Sequence, residues 1–378
     1  MGVKLKNYNF RLVIEVILLT SFGIVVIGSI SGYYQKRQII GLILGLVVMV
    51  AVSLFNYDFL MKLAIPIYIG TNLMLAVIML PVFSHDSHGA QRWIEIAGFK
   101  FQPSELAKIL LVIFFAYYFG KMEEKINNLR TIIMALILVG VPLGLIFMQP
   151  DLSTTIVTFL IFANMFLIAG LSYKLIGVVL AIVVPSIVVG LSIIVSKGEK
   201  MAIFQGSHRY QYIRIMAWLR PEEYGDKALQ QQNSVMAIGS GQLLGKGLYN
   251  SGVTSLKNGN FISEPHTDFI NAVVGESLGF VGCMFIVVMI TIICIECIRI
   301  AKKSKDLQGC LIAVGIAAMI MVQTFINIGV TTRLLPNTGL TLPFVSYGLT
   351  SLISMYIGIG LVLNVGLHPA KRRSGVIR

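Results

Sequence analysis

The segment 261–276, FISEPHTDFINAVVGE, contains the densest group of side chains that could do acid–base chemistry. Glu264 and Asp268 are four residues apart, so they share one face of a helix, and His266 lies between them. An apolar run follows at once. At such a boundary, desolvation raises the pKa of a carboxyl group, whereas a helix N-terminus and nearby cations lower it. Either balance leaves Asp268 as a candidate general base.

A proline and an acidic residue occur together where three apolar runs begin. Proline suits the first helical turn because it has no N–H to lose, and the acid gains from the helix dipole. Capping therefore explains each pair taken alone. If all three meet one membrane face, they instead indicate function, because carboxylates near hydrocarbon are costly. The pairs are Pro103 with Glu105, Pro150 with Asp151, and Pro265 with Asp268.

Glu105 and Lys108 are three residues apart at the start of an apolar run, which favours an ion pair within one helix. Lys108 lies more than about one turn inside the run, and a buried lysine usually has a partner. We therefore predict that this pair has a structural or activating role.

Basic residues near the acids could bind a phosphate or pyrophosphate group. Lipid phosphates are the alternative partners of several of these cations. The candidate substrate-binding residues are Arg92, Arg209, Arg214, Asp151, His266 and Glu264.

Two other patterns are set aside. The segment 239–247, GSGQLLGKG, resembles a phosphate-binding loop, but no glycine lies five positions before Gly245, and Gly247 replaces the Ser or Thr that binds magnesium. The four cysteines fall in or beside apolar runs, so no disulfide framework or zinc site is indicated. No metal site or cofactor is evident, and a divalent cation requirement is left open.

Composition defines the class of protein. Of 378 residues, 56% are hydrophobic and 12% are charged, whereas about a quarter of a soluble domain is charged. The apolar residues form unbroken runs instead of alternating, which excludes an outer-membrane barrel. We predict an all-α polytopic membrane protein, a single transmembrane domain over 1–378 with about ten helices. The predicted spans are 12–31, 39–55, 64–82, 104–120, 130–148, 152–170, 172–195, 269–298, 309–332 and 341–365.

The distribution of Lys and Arg predicts the orientation. Connections on the side of the N-terminus hold sixteen of these residues, and the short connections on the other side hold five. The positive-inside rule then places both termini in the cytoplasm. The long segment 196–268, between helices seven and eight, becomes an extracytoplasmic loop. Its residues 209–220 mix aromatic, aliphatic and basic side chains, as an interfacial helix or a plain surface helix would.

The formal net charge of +13 could suggest nucleic acid binding. In a membrane protein it more often reflects basic loops that face anionic lipid. Membrane lipids are therefore expected partners, and nucleic acid is not.

Five sequence motifs, in this order along the chain, resemble those of one known family. They are GAQRWI at 89–94, FQPSELAK at 101–108, QPDLST at 149–154, EPHTDFI at 264–270 and PNTGLTLPFVSYG at 336–348. The chain resembles SEDS proteins (shape, elongation, division and sporulation) over essentially its whole length, and within them the RodA-like elongation members, whose motifs the division and sporulation relatives share. It departs from the family at Ser153, where glycine is expected, and at Ser263, where many relatives have proline.

The resemblance implies a peptidoglycan glycosyltransferase that acts in cell shape and elongation. Such an enzyme lies in the bacterial cytoplasmic membrane, crosses it several times, and polymerises lipid II into β-1,4 glycan strands on the outer face. Its implied partner is a class B penicillin-binding protein, a transpeptidase. The catalytic aspartate of the family corresponds to Asp268, which would act as general base while a polyprenyl pyrophosphate leaves with inversion.

A lipid II flippase, or another transporter of lipid-linked sugars, is the main alternative, because ten helices with intramembrane acids also suit transport. Transporters often show repeats or helices broken at the midplane. The sequence shows no convincing repeat and its acids cluster at one face, which favours chemistry there. A scaffold that only recruits a penicillin-binding protein ranks last, because it would leave the costly acids unexplained.

Overall fold

The structure, a computed structural model, describes residues 8–79, 85–87, 90–96, 99–198, 201, 209–249 and 264–369. Within these ranges the chain forms thirteen α-helices and one small sheet. The helices are α1 Phe10–Gly28, α2 Gly32–Leu54, α3 Tyr57–Lys62, α4 Ala64–Val77, α5 Pro103–Lys121, α6 Leu129–Met148, α7 Leu152–Ile168, α8 Tyr173–Lys197, α9 Arg209–Leu219, α10 Gly225–Ser240, α11 Ile270–Lys302, α12 Leu307–Thr331 and α13 Leu349–Leu367.

Each predicted span corresponds to one helix of this set. In the described part of the chain, seven helices are long and apolar enough to cross a membrane, namely α1, α2, α5, α6, α11, α12 and α13. Helices α4 and α7 are shorter apolar helices. The prediction of an all-α polytopic membrane protein is confirmed.

The core of the bundle lies around α12, which is buried along most of its length and packs against α5, α7, α11 and α13. Helices α2 and α13 approach closely because glycine faces the partner on each side. A Cβ atom on Gly45 would lie 2.5 Å from the Tyr356 ring, and one on Gly360 would lie 2.7 Å from the Met49 carbonyl oxygen. Small residues at helix contacts allow this approach in a membrane.

Two helix starts differ from the predicted ones. Helix α13 begins at Leu349, eight residues after the expected start. The apolar segment 341–348 was predicted to be helical, but it contains Pro343 and ends at Gly348, and both residues disfavour a helix. Helix α2 begins at Gly32, seven residues before the expected start, because its first polar turns are helical as well. Hydropathy therefore located both spans but not their ends.

Helix α11 is broken at Gly279, whose φ of 66° and ψ of −160° are not helical. The turn 241–247 packs against this break and replaces hydrogen bonds that the helix has lost. The amide of Lys246 donates to the Glu276 carbonyl at 2.9 Å, and the amide of Phe280 donates to the Gln242 carbonyl at 2.8 Å. Backbone groups in a membrane span need such partners. This docking explains Gly241 and Gly245 without any phosphate, because a Cβ atom on Gly245 would lie 2.3 Å from the Ser277 backbone and one on Gly241 would overlap the Gly275 carbonyl.

The end of the bundle that the charge count assigns to the outside is called the outer end. A small antiparallel sheet, β1 His85–Ser87, β2 Ala90–Ile96 and β3 Phe99–Phe101, leads there into α5. Helices α9 and α10 form the described helical part of the loop 196–268. Gln231 and Ser234 of α10 donate to carbonyl groups at the end of α12. These contacts fix α10 on the bundle above the core.

Candidate active site

Asp268 lies in the turn that immediately precedes α11, at the outer end, and its side chain is half-buried. Burial raises the pKa of this carboxyl to about 6, against the opposing effect of the Arg214 guanidinium, and Glu264 adds a smaller upward shift. Near neutral pH the group is therefore mostly ionised, yet basic enough to accept a proton.

Gly339 lies beside this carboxylate, in the loop between α12 and α13. A Cβ atom on Gly339 would lie 3.3 Å from Oδ2 of Asp268 and 3.4 Å from a guanidinium nitrogen of Arg214. The φ of Gly339 is +76°, which glycine adopts without strain, and the residue is exposed. The structure therefore has an accessible gap, bounded by an acid and a cation, where a reacting group can lie.

The guanidinium of Arg214 is held by its neighbour one turn back on α9. It donates to the Tyr210 hydroxyl at 2.7 Å, and its central carbon lies 4.3 Å from the centre of the Tyr210 ring. Stacking and a hydrogen bond together fix the orientation of the cation.

Hydrogen bonds fasten the Asp268 turn to the loop 341–348. The Ser346 hydroxyl donates to the Thr267 carbonyl at 2.7 Å, and the Tyr347 amide donates to the His266 carbonyl at 2.9 Å. The Asn327 side chain of α12 donates to the Asp268 carbonyl at 2.9 Å. The candidate base is therefore attached to a rigid part of the bundle.

His266 and Glu264 flank the turn that carries Asp268. The His266 ring is buried and stacks on Tyr34 with ring centres 3.9 Å apart. Burial lowers the pKa of His266, and Glu264, 3.5 Å away, opposes this shift. Glu264 is exposed and has a positive φ of 54°. Packing of the turn is thus the observed role of His266, and its role in substrate binding stays a prediction.

Asp151 caps α7 and is buried. Its carboxylate accepts from the Thr154 amide at 3.0 Å and from the Gln102 side chain at 3.3 Å. Ser153, at the position where the family is expected to have glycine, donates to the Thr338 carbonyl at 2.5 Å. The three proline–acid starts therefore meet at one end, because these contacts link the starts of α5 and α7 to the loop beside Asp268.

The predicted Glu105–Lys108 pair is present in α5. The Lys108 ammonium lies 2.7 Å from a Glu105 carboxylate oxygen, and both side chains are buried. A buried lysine without this partner would be strongly unfavourable, because its charge would be uncompensated. The geometry suits a structural role, and an activating role stays a prediction.

Exchanging the two charges tests this pairing. Glu105→Lys and Lys108→Glu alone each leave two like charges buried together, and we expect each to lose most catalytic activity and much of the folded yield. The double variant restores opposite charges and should recover part of both quantities. Activity and monodispersity in detergent measure the effect, and absence of any recovery would argue that the pair acts otherwise.

The other two arginines predicted to bind substrate, Arg209 and Arg92, have no described contact with Asp268. Arg209 begins α9 and is exposed. Arg92 belongs to β2, and its side chain lies outside the described residues, as does Ser263. Of the three candidate cations, the described geometry therefore places Arg214 beside Asp268.

Gly339, Asn327 and Tyr210 were missed as site residues by the sequence analysis. Gly339 lies in PNTGLTLPFVSYG, a segment noted for resemblance alone. Asn327 stands within the apolar run of α12, and a polar side chain in a membrane span is by itself a sign of function. That signal was available in the sequence. Tyr210 and Arg214 are four residues apart and so share one face of the predicted helix 209–220, but nothing in the sequence placed that face beside Asp268.

Comparison with known proteins identifies the class and then the family. The fold is that of a polytopic membrane protein with its candidate site at one end. A family model of FtsW, RodA and SpoVE, described as "Cell cycle protein", matches residues 9–371. The chain belongs to this family, which is the SEDS family.

Curated relatives have the same extent as this chain. It is 33% identical to "Probable peptidoglycan glycosyltransferase FtsW" of Bacillus subtilis (strain 168), over 96% of this chain and 91% of the relative. It is 32% identical to the protein of the same name from Geobacter metallireducens, over 96% and 95% of the two chains.

Solved structures agree with the family. A chain from a peptidoglycan synthase complex that coordinates polymerisation and crosslinking has a TM-score of 0.75 and 26% identity, covering 95% of this chain and 97% of that chain. The rod shape determining protein RodA of Thermus thermophilus has a TM-score of 0.67 and 26% identity, with 95% and 96% covered. The predicted family, the glycosyltransferase class and the multi-pass location in the cytoplasmic membrane are confirmed.

Proposed function

We propose that this protein polymerises lipid II into β-1,4 glycan strands on the outer face of the cytoplasmic membrane, with Asp268 as general base. The gap beside Gly339 is the observation that carries this proposal, because it places a basic carboxylate and a fixed cation on either side of an accessible space. A glycosyl transfer needs a base for the attacking hydroxyl and a positive charge for the leaving group.

The reaction follows from these two groups. The 4-hydroxyl of one lipid-linked sugar attacks the anomeric carbon of another, and Asp268 takes the hydroxyl proton. The new bond joins oxygen to the anomeric carbon while the carbon–oxygen bond to the polyprenyl pyrophosphate breaks. Direct attack converts the α linkage of lipid II into a β linkage, and no covalent enzyme intermediate is required.

Arg214 is the group that we propose for the leaving pyrophosphate. Its guanidinium lies across the gap from Asp268 and is oriented by Tyr210. A planar guanidinium binds phosphate oxygens in two places, which suits a pyrophosphate that gains negative charge as it leaves. Arg209, Arg92, Asp151, His266 and Glu264 remain proposed substrate contacts.

The partners follow from the relatives. A structural relative is part of a peptidoglycan synthase complex that both polymerises and crosslinks. We propose that this chain works with a class B penicillin-binding protein that crosslinks the glycan, with lipid II as substrate. The curated relatives have the name FtsW and a structural relative is a rod shape determining protein. We propose that this protein acts in cell elongation, as the rod shape determining relative does by its name, and not in division.

A gel of lipid II products in detergent tests the function. Purified protein, with and without a candidate penicillin-binding protein, should convert lipid II into a ladder of glycan chains. A flippase makes no polymer, because detergent leaves no membrane to cross, so the absence of a ladder with every partner would favour transport. Loss of the ladder in EDTA would assign part of the charge neutralisation to a divalent cation rather than to Arg214.

The broken helix α11 bears on the transport alternative. Transporters place such breaks at the midplane, where they line a substrate site. Here the break at Gly279 lies nine residues after the start of a helix of 33 residues, close to the outer end. The turn 241–247 packs against it through backbone hydrogen bonds. This arrangement favours a fixed site at one face.

The dependence of polymerisation on pH should report the ionisation of Asp268. Because the base must be deprotonated, the rate should fall about tenfold per unit below pH 6 and level off above it. Arg214→Gln removes the cation that lowers the pKa, so the acidic limb should move to higher pH. Glu264→Gln removes a negative neighbour that raises the pKa, so the limb should move to lower pH.

The matched control for these shifts is Arg220→Gln, just after the C-terminal end of α9, where Arg220 pairs with Glu223 at 3.3 Å. It should leave the acidic limb in place. Equal limbs in all four proteins would show that a group other than Asp268 governs the profile.

A further inference from the structure

A buried amide in α12 joins the two turns that form the gap. The Nδ2 atom of Asn327 donates to the Asp268 carbonyl at 2.9 Å and to the Leu340 carbonyl at 2.6 Å. Leu340 follows Gly339 directly, so one side chain contacts both walls of the site. Its orientation is fixed, because a reversed amide would bring its oxygen against two carbonyl oxygens.

The surroundings of Asn327 make this bridge rigid. The side chain is only 1% exposed and projects from the helix at the core of the bundle. A buried amide in a membrane span must find partners, so it cannot release these carbonyls without cost. Nearby, Asn271 of α11 donates to the Thr331 hydroxyl at 3.0 Å, which fastens the start of α11 to the end of α12.

We infer that Asn327 is a positioning residue, which sets the distance between the Asp268 turn and the Gly339–Leu340 turn and so the width of the catalytic gap. The inference rests on the proposed role of Asp268 as base. Asn327 itself contacts main-chain carbonyls and not the gap. Its loss should therefore leave lipid II binding intact and slow the reaction, since a displacement of about 1 Å in a catalytic group can cost about 10²-fold.

The test compares Asn327→Ala with Asn364→Ala in the full-length protein. Asn364 is the matched control, because its buried amide, in α13, also donates to main-chain carbonyls, at 2.8 Å to Ser53 and 3.5 Å to Val52. The Asn364 amide contacts α2 and the segment that begins α3, remote from Asp268. Polymerisation rate at saturating lipid II, KM for lipid II and thermal stability in detergent are measured for each.

The expected result is a split between the two variants. Both should lose thermal stability, but only Asn327→Ala should lower kcat, by about 10²-fold, with KM within about twofold of the original. Asn327→Ser keeps one donor and disturbs packing less, so its kcat should lie between those of Asn327→Ala and the original protein. This variant replaces Asn327→Ala in the test if Asn327→Ala does not fold.

Two results would overturn the inference. The first is a kcat of Asn327→Ala, or of Asn327→Ser where only that variant folds, equal to that of the original protein. The second is an equal fall in kcat in the Asn327 and Asn364 variants, which would show a general effect of stability. Asp268→Asn, run in parallel, separates this inference from the proposed function. Full activity in Asp268→Asn would remove the base, whereas an inactive Asp268→Asn beside a fully active Asn327→Ala would remove only the positioning role.

Discussion

Asp268→Asn should abolish polymerisation of lipid II, lowering the rate by about 10²- to 10⁴-fold. The amide has nearly the same shape as the carboxylate but cannot accept the proton of the attacking hydroxyl. The main-chain contact to Asn327 does not involve the carboxyl group, so the turn should keep its place. Glycan product on gels, initial rate and detergent stability measure the outcome.

Asp58→Asn is the matched control for this substitution. Asp58 is likewise an aspartate close to the start of a helix, in the first turn of α3, but it is partly exposed and pairs with Lys305 at 2.6 Å. It should fold and polymerise normally, because an exposed ion pair contributes little to stability. Substantial chain growth by Asp268→Asn, at a folded yield equal to that of Asp58→Asn, would remove Asp268 as the base.

Apolar runs were sufficient to predict the bundle, because a span must be continuous and helical in hydrocarbon. They were insufficient where an apolar segment is not helical. Residues 341–348 read as part of the last span, yet the Ser346 side chain accepts from the Leu342 amide within this segment and donates to the Thr267 carbonyl of the Asp268 turn. The contact with Thr267 is tertiary, and hydropathy does not contain such contacts. The break at Gly279 was missed for the same reason, since its replacement partners come from 241–247.

The candidate site was predicted in its charged members and missed in its neutral ones. Asp268 and the Glu105–Lys108 pair stood out because charges are rare in apolar sequence and costly there. Arg214 was one of several cations, and only the fold selects it, by bringing α9 beside the loop of Gly339. Glycine contributes through the absence of a side chain, so no chemical signal in the sequence could identify the gap.

Gly339→Ala should stop polymerisation almost as effectively as loss of the base, by about 10²-fold or more. The added methyl group would lie 3.3 Å from Asp268 and 3.4 Å from Arg214, within the gap that the attacking hydroxyl and the leaving group need. The substitution also strains the backbone, because φ is +76° and alanine pays about 1–2 kcal/mol in this region. Occlusion and strain must therefore be separated.

Gly247→Ala separates them, because Gly247 has a φ of +95° and a Cβ atom there would meet nothing within 4 Å. It introduces the same kind of strain without filling the gap, so it should lower thermal stability in detergent and leave the polymerisation rate within about threefold of the original. If Gly339→Ala and Gly247→Ala lose stability alike and only Gly339→Ala loses activity, the space beside Asp268 is where the reacting groups meet. Similar activities in the two variants would contradict that position, since strain alone would then account for both.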